Sequence, residues 1–202
     1  MWRDPRGSHT GQERDLYDKL GLNVIWIEPI PHVFSKLQAN LAPYPKQRAI
    51  RALVTDQDDA EKQFHVANND GASSSILELK DHKDIWPEVG YTEALTLKTI
   101  TLTSLFEREQ INPDSYQALV MDTQGSELLV LRGSIPILQC FRYVKTEVPD
   151  FESYANCRQL PEMENFMSEH GFSELSRHKF ASRPQGGSYF DIVYQNTRKR
   201  HR

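Results

Sequence analysis

Four acidic side chains stand where a carboxylate could do chemistry. Each ends or directly follows a short apolar run of the sequence: Glu28, Asp56, Asp122 and Glu147. In sheets of parallel strands, ligands bind beyond the carboxyl ends of the strands. We therefore expect these carboxylates to line one edge of a sheet, where they could accept hydrogen bonds from hydroxyl groups or remove a proton from one.

A glycine-flanked loop precedes the first of these carboxylates. Gly7 and Gly11 bracket the segment GSHTG just before a predicted helix, and glycines there let a ligand approach the N–H groups of a helix N-terminus. Glu28 follows at nearly the spacing at which dinucleotide-binding folds place the carboxylate that binds ribose hydroxyls. The alternatives are a plain entry from loop to helix for the glycines and a solvated loop carboxylate for Glu28.

The segment LVMDTQGSELLVL changes character halfway along. Its apolar run stops at Asp122, and after Gly125 the apolar residues are spaced as on a helix. Besides a ligand contact, Asp122 could cap the N-terminus of that helix. For Glu127 we favour a place in the first turn, as a partner of the helix dipole or as an anchor of the loop.

The elements that would position these residues alternate between strands and helices. Such alternation predicts a parallel sheet covered by helices on both faces, closed here by an antiparallel hairpin. The segment DHKD, which lies between the predicted strands 62–68 and 95–102, is predicted to be a solvated loop rather than a site for a divalent ion. The predicted strands are 23–29, 49–56, 62–68, 95–102, QALVMD, 141–148 and the hairpin of FSELSRH and SYFDIVYQN, and the predicted helices are 11–21, 32–41, 103–110, GSELLVLRGS and QLPEMENFMSEHGF.

Composition indicates an ordinary globular protein. The 202 residues are 38% hydrophobic and 26% charged with a formal net charge of −4, which predicts one domain over 1–202 and gives no basis for nucleic-acid binding. No apolar run reaches the ~20 residues that span a bilayer, so no membrane partner is expected. Cys140 and Cys157 stand far apart, and the histidines lack metal-ligand spacing; we expect a cytoplasmic protein without a metal. The basic tail 197–202 is expected to be frayed.

Together these motifs resemble those of FkbM-type methyltransferases. The segments that carry the resemblance are GSHTGQE, VIWIEPIPHVFSKLQANL, SSSIL and LVMDTQGSELLVLRGS, which follow one another between Gly7 and about Val148. Such enzymes use S-adenosylmethionine and have the Rossmann-like class I methyltransferase fold. The resemblance implies an α/β sandwich with a mostly parallel sheet and a C-terminal antiparallel hairpin, and O-methylation of a hydroxyl on a sugar or small metabolite.

The resemblance also implies roles for individual residues. Gly7 and Gly11 match the glycine loop around the methionine part of the cofactor, and Glu28 matches the acidic residue that binds the ribose. Asp122 matches the acidic residue beside the methionine end of the cofactor and the methyl acceptor. The other implied cofactor contacts are Ser8, His9, Gln12, Pro29 and, more loosely, Asp56 near the adenine. The implied substrate contacts are Ser74, Ser75, Gln124 and Glu147, and many relatives carry an acidic residue where Gln124 stands.

The chemistry of methyl transfer suits these side chains. A sulfonium methyl group is already activated, so the protein mainly has to align it with the acceptor oxygen and exclude water. The acceptor hydroxyl could still need a base, and the candidates are Asp122, Glu147 and His9. Because attraction between a carboxylate and the sulfonium in the ground state does not by itself accelerate transfer, we favour binding and orientation for Asp122.

The N-terminal segment departs from the family pattern. Relatives have a hydrophobic first strand that ends in an acidic residue, whereas only MWRDPR precedes Gly7, with Pro5 where that residue usually lies. We therefore expect the first strand to be short or missing, which would leave inner strand edges unpaired at about 1–3 kcal/mol per buried backbone group. Either 1–6 forms a minimal strand, water or another segment fills the gap, or the sequence is a shortened version of a longer protein.

Two other functions compete with methyl transfer. The first is a non-catalytic binding or scaffold domain that keeps the fold with an incomplete cofactor site, which the short N-terminal segment favours. The second is a nucleotide-sugar or dinucleotide enzyme on a similar fold. Against the second, GSHTG lacks the G-x-G-x-x-G pattern and no P-loop occurs in the sequence.

Overall fold

Helices and strands alternate along residues 10–199, the part of the chain that the computed structural model describes. Residues 1–6, where the first strand is expected to be short or missing, lie outside the described residues, as do Gly7, Ser8, His9 and the last three residues of the basic tail. The α-helices are α1 (Arg14–Lys19), α2 (Pro31–Leu41), α3 (Leu102–Arg108), α4 (Glu127–Arg132), α5 (Ile135–Leu138) and α6 (Leu160–Glu169). The strands are β1 (Val24–Ile27), β2 (Gln47–Ile50), β3 (Leu53–Thr55), β4 (Glu61–Ala67), β5 (Tyr91–Thr101), β6 (Ala118–Met121), β7 (Tyr143–Pro149), β8 (Phe172–Ser182) and β9 (Ser188–Asn196).

The described strands form three hydrogen-bonded groups. Strand β1 pairs with β2 in parallel, the second group has the order β3-β5-β4, and the third has the order β6-β7-β9-β8. Strands β3 and β5 are parallel, as are β6 and β7, whereas β4–β5, β7–β9 and β8–β9 are antiparallel. The predicted α/β class and the C-terminal hairpin are confirmed. The mostly parallel sheet is not confirmed, because parallel and antiparallel pairs are mixed.

The single strand predicted over 49–56 is wrong. The chain pairs with β1 as far as Ile50, which lies opposite Ile27, and then leaves that strand at Arg51. Its next residues form β3, whose Leu53 lies opposite Thr99 of β5. Strand β5 is the partner of β3, so the two halves of this one apolar run belong to two different groups of strands.

The main core lies between the β6-β7-β9-β8 strands and the helices that follow β5, β6 and β7. Its centre consists of fully buried side chains on β7, β9, α4 and α5, among them Val144, Ile192, Leu131 and Leu138. A smaller core lies under the start of α2 and contains Ile30, Val33, Leu53, Phe64 and Val66. Of the helices within 10–199, none is long and apolar enough to cross a membrane.

Two parallel strands each have one outer edge to which no described strand pairs. Among residues 10–199, β1 pairs only with β2, and β6 pairs only with β7. The side chain of Val120 on β6 is 52% exposed, although Met121 beside it is buried. In the described part of the chain, the strands that end at Glu28 and Asp122 are therefore edge strands.

Candidate functional site

Glu28 lies in the short link between β1 and α2. Its N–H donates to the carbonyl of Ile50, which extends the β1–β2 pairing by one residue. Its carboxylate turns back and accepts a 2.7 Å hydrogen bond from the N–H of Ile30, the residue that caps α2. Pro31, which lacks an N–H to satisfy, then opens the helix.

The Glu28 carboxyl group is buried, with 6% of the residue exposed. Burial raises its pKa to about 7, and the bond from Ile30 opposes this rise only in part. The side chain is therefore not the solvated loop carboxylate that was one alternative. A buried carboxyl at a strand end can bind a ligand hydroxyl with little competition from water.

The turn between β6 and α4 is held by Glu127. The Oε1 atom of this glutamate accepts hydrogen bonds from the N–H groups of Thr123 (2.8 Å) and Gly125 (3.2 Å). Its residue is 5% exposed, and burial is the main reason that its pKa is raised to about 7, with Asp122 nearby adding to the rise. The predicted role of Glu127 as an anchor of the loop is confirmed.

Asp122 is not the N-cap of α4, and that alternative is wrong. The helix begins at Glu127, and Ser126 occupies the N-cap position. The turn before it places Gln124 and Gly125 at φ +53° and +94°, and four residues separate Asp122 from the start of the helix. The Oδ1 atom of Asp122 instead accepts a hydrogen bond from the Gln124 side-chain amide.

The serine loop, residues 71–77, connects the two carboxylate sites. Ser75 Oγ donates to the carbonyl of Gln124 over 2.7 Å. On its other side the loop packs on the start of α2, where a Cβ added to Gly71 would lie 2.8 Å from Ile30 Cδ1 and 3.6 Å from Ser74 Oγ. One short loop thus contacts both the turn after Asp122 and the residue that Glu28 binds.

Ser74 and Ser75, the predicted substrate contacts, are buried and hydrogen-bonded within the chain. Ser74 Oγ accepts from the N–H of Ala67 (3.0 Å), and Ser75 Oγ also accepts from the N–H of Leu77 (3.0 Å). The exposed fractions of the two serines are 7% and 0%. In the structure their hydroxyls fix the shape of the loop, and a role in substrate binding stays a prediction.

Glu147 lies beside Asp122 but not past the end of its strand. It is the fifth residue of β7, and the residue before it, Thr146, lies opposite Met121 of β6. Glu147 is half-buried, and its charge and that of Asp122 both contribute to raising the pKa of Tyr154, after the larger effect of burial. Three groups that could contact a methyl acceptor are therefore close together, namely Asp122, Glu147 and Tyr154.

Gly11, Gln12 and Asp56 lie away from Glu28 and Asp122. Gly11 packs against the last turns of α2, where its added Cβ would lie 3.1 Å from Leu37 Cδ1. Since Glu28 precedes the first turn of α2, the two sites are roughly 10 Å apart along the helix axis at 1.5 Å per residue. Gln12 accepts from the N–H of Thr10 in the same region.

Asp56 follows β3, which belongs to a different group of strands from β1 and β6. The carbonyl of the preceding Thr55 faces Gly133, at the end of α4 remote from Asp122. The predicted single edge of four acidic residues is therefore wrong: Asp122 and Glu147 lie together, the serine loop links them to Glu28, and Asp56 lies apart.

An aromatic cluster behind the Asp122 turn was missed from the sequence. It contains His82, Tyr154 and Tyr189, which are all at most 3% exposed, and the partly buried Trp86. His82 is hydrogen-bonded to Tyr189 (2.8 Å) and to Ser73 of the serine loop (3.3 Å), and burial lowers its pKa to about 4. The predicted solvated loop DHKD is wrong, because it forms a 3₁₀ turn that carries this buried histidine.

No local signal marks His82 and Tyr154, because each lies in a polar segment. The DHKD turn reaches the site only through long-range pairs with the segment after β7, in which the N–H groups of Lys80 and His82 both donate to the carbonyl of Ser153. Within the described residues, no three or more His, Cys, Asp and Glu side chains are grouped to hold a metal ion.

Comparison with known proteins identifies the family. The family model for the methyltransferase FkbM domain matches residues 7–174, a span that contains β1 to β7, Glu28, the serine loop and the Asp122 turn. The chain belongs to the FkbM-domain methyltransferases. Neither a curated protein nor a solved structure is significantly similar to it.

Proposed function

We propose that the chain is an S-adenosylmethionine-dependent methyltransferase that methylates a hydroxyl oxygen of a sugar or small metabolite, with residues 1–202 forming one Rossmann-like domain. The observation that carries the proposal is the arrangement at the ends of β1 and β6. There Glu28 and Asp122, within a matched methyltransferase domain, are held by adjoining loops. A cytoplasmic location stays a prediction from the composition.

The donor set fits the cofactor. Carboxylates accept from ribose hydroxyls and from the ammonium group of the methionine part, which are the polar groups that S-adenosylmethionine offers. We assign Glu28, next to Pro29, to the ribose and Asp122 to the methionine end. Gly7, Ser8 and His9 stay predicted contacts outside the described residues.

When bound, the cofactor supplies a methyl group already activated on a sulfonium. The residues around Asp122 orient the acceptor hydroxyl and keep water out, and Glu147 or Asp122 accepts the hydroxyl proton as the oxygen attacks. The Asp122 carboxylate accepts a hydrogen bond from Gln124, which supports binding and orientation as its role. His9 remains the third candidate base.

The experiment that tests the proposal is calorimetric binding of S-adenosylhomocysteine to the 202-residue chain. Glu28→Gln and Asp122→Asn remove one charge each while keeping an oxygen acceptor, and each is expected to weaken binding by roughly 10-fold, since a hydrogen bond to a charged group contributes about 1.5–3 kcal/mol. Glu88→Gln, at an exposed position, is the matched control with unchanged affinity. Absence of binding by the folded wild-type chain would contradict the cofactor assignment.

A non-catalytic binding domain is the second candidate. Two observations favour it: the outer edges of β1 and β6 have no strand partner within 10–199, and Gly11 lies at the far end of α2 from Glu28. Tight binding of S-adenosylhomocysteine without methyl transfer to any hydroxyl acceptor would support this alternative over the enzyme.

A further inference from the structure

Gln124 is constrained at both its backbone and its side chain. Its backbone has φ +53°, a left-handed conformation that is strained for residues other than glycine. The hydrogen bond from Ser75 Oγ to its carbonyl holds the backbone in this conformation. The side chain then lies between Asp122 and the aromatic cluster behind the turn.

The two ends of the Gln124 amide have different partners. Its Oε1 accepts a 2.6 Å hydrogen bond from the hydroxyl of Tyr154, and its Nε2 donates to Oδ1 of Asp122. An amide has one accepting and one donating end, so a half-turn would bring Oε1 against the Asp122 carboxylate. The Asp122 carboxylate only accepts and so requires the amide N–H on its side, and the bond that the tyrosine hydroxyl donates to Oε1 reinforces this orientation.

Tyr154 is itself held rigidly. It is 1% exposed, its ring centroid lies 5.1 Å from that of His82, and its backbone forms a β-bridge with Leu79. Burial raises the pKa of its phenol well above the ordinary range, so the hydroxyl keeps its proton and stays available as a donor. The carbonyl of Ser73, at 3.5 Å, is a more distant second acceptor.

We propose that Tyr154 is a positioning residue that orients the Asp122 carboxylate through the Gln124 amide. The proposal rests on the proposed function for its effect on cofactor binding, whereas the chain of hydrogen bonds stands on the geometry alone. Loss of the Tyr154 hydroxyl frees the amide to rotate, and Asp122 then loses a donor that fixes one of its oxygens.

A double-mutant cycle with Tyr154→Phe and Asp122→Asn tests this coupling. In the wild-type background, Tyr154→Phe is expected to weaken S-adenosylhomocysteine binding about fivefold, the effect of one net hydrogen bond of about 1 kcal/mol. In the Asp122→Asn background the same change is expected to have less than about a twofold effect. The reason is that substitutions within one hydrogen-bond network do not have additive effects on affinity. Equal effects in both backgrounds, or none in the first, would overturn the proposal.

Two phenylalanine substitutions serve as controls. Tyr194 is 2% exposed, and its hydroxyl has no hydrogen-bond partner among the described residues, so Tyr194→Phe should leave affinity unchanged. Tyr189→Phe removes the bond to His82 and should lower thermal stability without lowering affinity. A loss of affinity in Tyr189→Phe as large as in Tyr154→Phe would indicate a general effect of packing and would contradict the proposal.

The side-chain amide signals of Gln124 provide a readout that does not depend on the cofactor. In nitrogen-15 NMR spectra, both Tyr154→Phe and Asp122→Asn are expected to shift the Gln124 NH₂ pair, while Tyr194→Phe leaves it in place. If the wild-type chain binds no S-adenosylhomocysteine, the proposed function fails and this measurement alone decides on the positioning. Unchanged Gln124 signals in Tyr154→Phe would then overturn it.

Discussion

The buried carboxyl of Glu127 should make the free energy of unfolding depend on pH, and one substitution should remove this dependence. Its Oε1 atom accepts from two N–H groups of the turn after β6, and an amide oxygen can accept the same two bonds. Glu127→Gln therefore keeps the anchor of the turn and removes only the titration.

The size of this change in unfolding free energy follows from the pKa of Glu127. Burial raises the pKa of Glu127 from an ordinary 4.5 to about 7, so between these values the folded chain binds more protons than the unfolded chain. The free energy of unfolding consequently falls as the pH rises through this window. At 1.36 kcal/mol per pKa unit, the loss between about pH 5 and pH 8 is roughly 2.5 kcal/mol, and the glutamine variant does not suffer it.

Urea unfolding at several pH values measures this difference. The free energy of unfolding of Glu127→Gln minus that of the wild type should increase by roughly 2.5 kcal/mol from about pH 5 to pH 8, and titration of Glu28 and His82 cancels in the subtraction. Glu88→Gln, at an exposed site, is the control substitution. Parallel curves for wild type and Glu127→Gln would refute the reasoning, because Glu127 would then ionise alike in both states.

Two further substitutions test the packing around the site. Gly125→Ala should destabilise more than Gly186→Ala, by about 1–3 kcal/mol in urea unfolding: both glycines have φ near +95°, but only a Cβ at Gly125 would meet side chains, among them Tyr154 at 3.2 Å. Equal losses of stability in the two variants would show that backbone strain alone, and not contact with side chains, causes the destabilisation. Arg183→Gln should speed hydrogen exchange in the tip of the β8–β9 hairpin, because this arginine bonds Asp84 at 2.6 and 2.9 Å. Arg177→Gln, which breaks an ion pair elsewhere on the hairpin, should leave the tip unchanged.

Local sequence patterns were enough to predict the two carboxylates at strand ends. The runs before Glu28 and Asp122 are short and apolar, and such runs form strands whatever lies beside them. The run over 49–56 looks the same, yet it splits between β1 and β5 as partners. That choice depends on which strands lie alongside, and a local pattern carries no information on it.

The supporting residues could not be predicted for the same reason. Tyr154 is thirty residues from Gln124 in sequence, and His82 is 107 residues from Tyr189, yet each pair is hydrogen-bonded. Polar segments such as DHKD have no periodicity that would mark a buried side chain. Their burial follows from the folding of the hairpin and the segment after β7 onto the serine loop, which is a property of the whole fold.

The segment LVMDTQGSELLVL changes from strand to helix, and its two acidic residues have different roles at this change. Glu127 is turned inward, where it satisfies the N–H groups that two consecutive residues of positive φ leave outside the helix. Gly125 lies between Asp122 and Glu127, where the backbone has φ +94° and a Cβ would come within 3.2 Å of Tyr154. With the turn held from within, Asp122 has no structural duty as a helix cap, and its carboxylate is oriented by Gln124 instead. A carboxylate that a neighbouring side chain orients at the end of a strand is well suited to bind a ligand, which is the role we propose for Asp122.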